Sequence, residues 1–140
     1  MYWDSSAIVP LIVAEARTAR VRAWLKEDPG IITWAWTRVE VSGAIERRFR
    51  AGSITRAQRT QALDRLGIIA GIWDEVSDIL VVRARAIPLL ARHPLRAADA
   101  GQLGAALAVS DSPESRMPFV CLDEALAAAA EREGLRVLAR

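Results

Sequence analysis

Pro118-Phe119-Val120-Cys121-Leu122 runs directly into Asp123-Glu124-Ala125-Leu126-Ala127-Ala128-Ala129-Ala130-Glu131-Arg132-Glu133-Gly134, and then into Leu135-Arg136-Val137-Leu138. The three pieces read as a buried strand, a helix stopped at Gly134 and a last strand. Outward from them the alternation continues. Met1 to Trp3 ends a first strand. Ser6 to Glu15 follows as a helix with Pro10 inside it, and Thr18 to Lys26 as a second, stopped by Asp28-Pro29-Gly30. Ile31 to Trp36 is a strand by its β-branched and aromatic content. Arg38 to Ala51 and Thr55 to Ile72 are helices, the latter N-capped by Thr55. Glu75 to Ser77 is a short strand. Ile79 to His93 is a helix with Val82, Ala86, Leu89 and Leu90 on one face, stopped by Pro94. Ala97 to Val109 is a small-residue helix, broken by Asp111-Ser112-Pro113. This alternation predicts an α/β fold with a parallel sheet covered by helices on both faces, and sites at the carboxyl ends of its strands.

The 140 residues make one domain, residues 1–140, with 52% hydrophobic and 26% charged side chains. That balance excludes a disordered body. Cys121 is the only cysteine and His93 the only histidine. A disulfide framework is thereby excluded, and any metal must be held mainly by oxygen, which favours magnesium, manganese or calcium. The net charge is +2, and every basic residue but Lys26 is arginine. Such a balance permits nucleic-acid binding without requiring it. Ala7 to Ala14 is too short to span a membrane and lacks a basic flank, so the expectation is a cytoplasmic protein with no membrane partner.

Four acids stand where the strand-end rule directs attention. Asp4 ends the first strand and Asp123 the strand Phe119 to Leu122. Glu40 lies in the first turn of the helix after Ile31 to Trp36, and Asp99 near the start of the helix after Pro94. Each has a local reading as well. Thr37-Arg38-Val39-Glu40 fits a capping box, and Asp4, Asp99 and Asp123 fit helix N-caps. Taken as a set they fit something else. Two carboxylates about 5 Å apart at an effective dielectric of about 20 repel by about 3 kcal/mol. Four converging acids therefore need protons, arginines or a divalent cation. An acidic cluster that holds Mg²⁺ or Mn²⁺ is suited to phosphodiester hydrolysis, and needs neither His nor Cys.

Tyr2-Trp3-Asp4-Ser5-Ser6-Ala7, Thr37-Arg38-Val39-Glu40, Leu95-Arg96-Ala97-Ala98-Asp99-Ala100 and Leu122-Asp123-Glu124 resemble, in order and spacing, the four acidic motifs of PIN-domain ribonucleases. The length and the closing stretch Ala129 to Val137 resemble the VapC-type toxins of toxin–antitoxin pairs. The resemblance covers essentially the whole chain. It implies a PIN-like three-layer α/β/α sandwich with a central, mostly parallel sheet. It implies Mg²⁺- or Mn²⁺-dependent endoribonuclease activity on tRNA, rRNA or mRNA, a homodimer, and a cognate antitoxin as partner. Asp4, Glu40, Asp99 and Asp123 would be the catalytic, metal-binding acids, and Ser5 or Ser6 a hydroxyl beside metal or phosphate. Arg96, three residues before Asp99, would contact substrate or pair with an acid. The chain departs from the family at Cys121, often Thr or Ser, and at Ala125, often Arg. Gly101 and Gly104 replace better helix formers at about 1 kcal/mol each, and Pro10 is unusual.

Trp34 and Trp36 alternate with Ala35, which predicts one shared strand face. Tryptophans there serve packing or base stacking. Arg38, Arg47, Arg48 and Arg50 cluster on one helix, where they grip phosphates or form a solvated face with a Glu46–Arg50 pair. His93 fits a helix C-terminus and Cys121 buried packing. The alternative to a nuclease is a non-catalytic PIN-like module that binds RNA or protein. A phosphoacceptor domain fits less well, because Lys26 lies early and Asp4-Ser5-Ser6 lacks a second acid. Neither a P-loop nor a Gly-x-Gly-x-x-Gly turn is present.

Overall fold

In a computed structural model that describes residues 1–110 and 117–139, five strands form one parallel sheet. They are β1 (Tyr2–Trp3), β2 (Ile32–Trp34), β3 (Asp74–Val76), β4 (Phe119–Val120) and β5 (Val137–Leu138), in the order β3-β2-β1-β4-β5. Tyr2 lies opposite Ile32 on one side and Phe119 on the other. The helices are α1 (Ser5–Ile12), α2 (Thr18–Glu27), α3 (Thr37–Arg50), α4 (Arg56–Ala70), α5 (Ile79–Arg92), α6 (Ala97–Ala108) and α7 (Glu124–Arg132).

Strand alternation divides the core in two. Tyr2 and Phe119 point to one face, where they stack at 5.5 Å and meet α5, α6 and α7 through Leu89, Leu103 and Leu126. Trp3 and Val120 point to the other face and meet α1 to α4 through Ile8, Val21, Val41 and Leu66. The result is an α/β three-layer sandwich, as the alternation predicts. The chain winds outward from β1 to β3 and then returns to place β4 on the other side of β1. The reversal opens a switch-point crevice beyond the carboxyl ends of β1 and β4.

Several boundaries differ from the sequence reading. β2 stops at Trp34, because the chain turns at Ala35 and Trp36 already has helical dihedrals as the residue before α3. Trp36 is therefore 55% exposed and does not share a strand face with Trp34. The first helix stops at Ile12 instead of Glu15. Pro10 has no N–H to give the turn before it, and its own carbonyl accepts from the Thr18 hydroxyl at 2.9 Å. Leu90 is exposed, off the buried Val82–Leu89 side of α5. Thr55 caps α4 in a reciprocal box with Gln58. The break at Asp111-Ser112-Pro113 lies outside the described residues.

Gly101 and Gly104 have a reason that helix propensity does not supply. A Cβ on Gly101 would stand 2.5 Å from the Trp34 ring, and one on Gly104 3.0 Å from the Val82 carbonyl. Both glycines let α6 press against its neighbours, Gly101 against β2 and Gly104 against α5. That contact fixes the start of α6, which carries Asp99.

Candidate active site

Asp4 leaves β1 at its carboxyl end and becomes the N-cap of α1, its Oδ2 accepting the Ser6 N–H at 2.8 Å. Asp123 does the same for α7 and accepts the Leu126 N–H at 2.8 Å. Asp99 reaches back from the first turn of α6 to the Arg96 N–H at 3.3 Å. The capping reading is thus correct for Asp4 and Asp123, while Asp99 sits one turn inside its helix. It is incorrect for Glu40. α3 begins at Thr37 itself, and the Thr37 hydroxyl turns inward to Thr33 and Gln102 instead of capping. Glu40 is left with its carboxylate aimed at side chains.

Burial and mutual repulsion act on these acids together. Burial is the main cause that pushes Asp4 up to about 6, with Asp99 adding to it and the Ser6 and Ser5 donors opposing it. Glu40 is also pushed up to about 6, first by burial. Hydrogen bonds from Gln102 and Ser5 restrain it, and Asp4 and Asp99 raise it further. Asp99 is raised by burial, with Asp123 adding to it, against the Arg96 backbone N–H and guanidinium. Asp4, Glu40 and Asp99 therefore all interact, and Asp123 joins through Asp99. Asp4 is buried, Glu40 and Asp99 half-buried, and Asp123 exposed. Among the described residues, no three His, Cys, Asp or Glu side chains form a group spaced to hold a metal ion.

The polar groups around Glu40 include residues that the sequence reading passed over. Gln102 is buried on α6. Its amide nitrogen donates to Glu40 Oε2 at 2.5 Å and to Thr37 Oγ1 at 2.8 Å, and its oxygen accepts from the Tyr2 hydroxyl at 2.9 Å. Thr33 Oγ1 lies 2.7 Å from both the Trp3 carbonyl and Thr37 Oγ1. A hydroxyl has one proton, so if Thr33 gives it to the carbonyl, Thr37 donates to Thr33. The chain of bonds then has one direction, and each Gln102 amide N–H has an acceptor, Thr37 Oγ1 and Glu40 Oε2. The signal in the sequence was a lone uncharged polar residue inside the Ala–Gly–Leu run of α6.

Ser6 Oγ accepts the Leu122 N–H at 2.9 Å and so ties α1 to the segment after β4. Ser5 serves Glu40. Arg96 is exposed, and its charge lowers Asp99. Cys121 is buried between Asp4 Oδ2 at 3.8 Å and the Asp123 carbonyl at 3.4 Å. Burial and the Asp4 charge hold its thiol far above the usual range, so it stays protonated and inert.

The side-chain groups at this edge are carboxylate and hydroxyl oxygens, one amide and the protonated Cys121 thiol. The hydrogen bonds to Asp4 and Glu40 come from neutral groups. A buried anion with only neutral donors is the situation a hard divalent cation relieves. In chemistry the residues fit Mg²⁺ or Mn²⁺. No protein-family model matches this chain, and no curated protein is similar to it.

Proposed function

We propose that the chain is a PIN-type endoribonuclease dependent on Mg²⁺ or Mn²⁺, acting in the cytoplasm as the toxin of a toxin–antitoxin pair. The observation that carries the reading is the electrostatic coupling of Asp4, Glu40 and Asp99, which come from three separate elements at one sheet edge, with neutral hydrogen-bond donors on Asp4 and Glu40. Asp4, Glu40, Asp99 and Asp123 are the residues that would hold the cation. When bound, it would neutralise phosphodiester charge and activate a water for in-line attack. The chain's own part is positional. Asp4 is fixed by the Ser6 N–H and Glu40 by Gln102, while Ser6 holds the Leu122 backbone beside Asp4. Products with 5′-phosphate and 3′-hydroxyl ends are expected. The toxin role and the antitoxin partner rest on the motif resemblance. A homodimer is supported by the outward apolar side chains of α5, where Leu80 and Ile87 are each 60% exposed.

The experiment is incubation of the antitoxin-free protein with total tRNA and rRNA in Mg²⁺ or Mn²⁺, with EDTA and Asp99→Asn controls. Discrete cleavage by wild type with metal alone is the expected result. The alternative is a PIN-like module that binds RNA or protein without cutting. Absence of both cleavage and Mn²⁺ binding would select it.

A further inference from the structure

Between α1 and α3 an open groove of about 410 Å³ leads away from Ser6 and Leu122. Its walls carry Arg17, Arg47 and Arg48 against a single acid, Glu15. That acid is already engaged, accepting from Arg48 Nη2 at 2.5 Å. Arg17 stands near the mouth and donates through Nη1 to the Leu122 carbonyl at 3.0 Å. Leu122 is the residue whose N–H is held by Ser6, so Arg17 is joined to the Asp4 edge through one residue. Arg47 folds back along α3. A Cβ on Gly43 would lie 3.4 Å from its Nη1, which places the guanidinium over the turn next to Glu40. Among the described residues Arg47 has no carboxylate partner. Arg38 and Arg50, neighbours in sequence, do not line this groove.

We infer that the groove is a phosphate subsite that holds the backbone of a single RNA strand beside the acidic edge. The inference rests on the RNA reading above. Four carboxylates repel a polyanion, so affinity has to come from cations near them but off the cutting position. The Arg47 guanidinium lies over Gly43, about one turn along α3 from Glu40, and among the described residues no carboxylate pairs with it. Arginine presents a planar fork suited to phosphate oxygens. The groove reaches Ser6 and Leu122, whose hydroxyl and N–H are bonded to each other next to Asp4, so a strand seated in it lies beside the acids without any of the four lining the groove.

The test is fluorescence anisotropy with a labelled 12-nucleotide single-stranded RNA of mixed sequence, in EDTA, across a range of salt. Arg47→Ala and Arg17→Ala should each weaken binding about 5- to 10-fold and flatten the logarithmic salt slope by about 0.7. Arg17→Lys should recover most of the loss, which separates charge from the Leu122 tether. Arg83→Ala on exposed α5 should behave as wild type. Wild-type affinity and slope in both alanine variants would overturn the inference, as would wild type without salt-dependent binding. A loss seen with labelled polyglutamate in place of RNA would overturn it in favour of an acidic peptide. The assay contains no free metal, so its result is separate from cleavage. RNA binding lost in Arg47→Ala from a wild type that never cuts keeps the groove and removes the nuclease. Cleavage by wild type with unchanged binding in Arg47→Ala does the reverse.

Discussion

At the corner where α5 ends beside α7, Glu133 accepts from two Arg92 nitrogens at 3.0 Å and lies 2.6 Å from His93 Nε2. At the carboxyl edge of the sheet, Asp4 and Glu40 accept from Ser6, Ser5 and Gln102. The two groups of acids respond oppositely. Arg92 first, and His93 after it, hold Glu133 below the usual glutamate range, while burial pushes Asp4 and Glu40 up to about 6. Glu46 follows the Glu133 pattern, held down by Arg59. The chain has arginines to spare and uses them on carboxylates elsewhere. Leaving the strand-end acids with neutral donors is unfavourable for stability, and such an arrangement is expected where a cation completes the site.

The largest effect expected from this contrast is on cleavage. Asp99→Asn should lower the metal-dependent cutting of RNA at least 100-fold, whereas Glu133→Gln should leave it unchanged. Gel assays on both variants make the comparison, and equal activities would break it. The next effect is on stability in EDTA. A raised folded value for Asp4 means the penalty is fully present above about pH 6 and disappears below the ordinary aspartate value near 3.8. Asn retains the N-cap, so Asp4→Asn should stabilise the metal-free protein by up to about 3 kcal/mol at pH 8 and by nothing at pH 3.5. Urea melts across that window would show a gain that shrinks as pH falls.

Packing beneath the site gives a smaller change. Helix propensity alone predicts that Gly101→Ala gains about 1 kcal/mol. The Trp34 ring, 2.5 Å from the added carbon, predicts a loss of about 1–3 kcal/mol. Denaturant unfolding of this variant decides the sign. The smallest effect belongs to the α5–α7 corner. Glu133 has a lowered folded value, so its contribution is present above the ordinary glutamate range and lost as pH falls through the lowered value. Arg92 is half exposed, which limits that contribution to under about 1 kcal/mol in Glu133→Gln at pH 7.

The fold was legible because apolar strands alternate with capped helices, and parallel pairing follows from that order alone. Asp4 and Asp123 were legible for the same reason, since cap and strand end coincide there, whereas Glu40 and Asp99 lie in the first turns of α3 and α6. What stayed hidden depends on contacts across the sequence. Gln102 looks like an ordinary helix former until Tyr2, Thr37 and Glu40 surround it. Gly101 and Gly104 look like weak helix residues until Trp34 and Val82 close on them. Glu46 has Arg50 in reach by spacing, yet Arg59 from α4 takes it with bonds of 2.6 to 3.0 Å. Trp36 reads as strand until the chain turns at Ala35. In each case a tertiary neighbour overrides the local pattern.

The most direct test of the central claim is a calorimetric Mn²⁺ titration of the wild-type protein beside Asp4→Asn and Glu133→Gln. Saturable binding by wild type and Glu133→Gln, lost in Asp4→Asn, is the result expected if the neutral-donor edge is a cation site. Identical titrations for all three proteins, or no saturable binding by wild type, would contradict it.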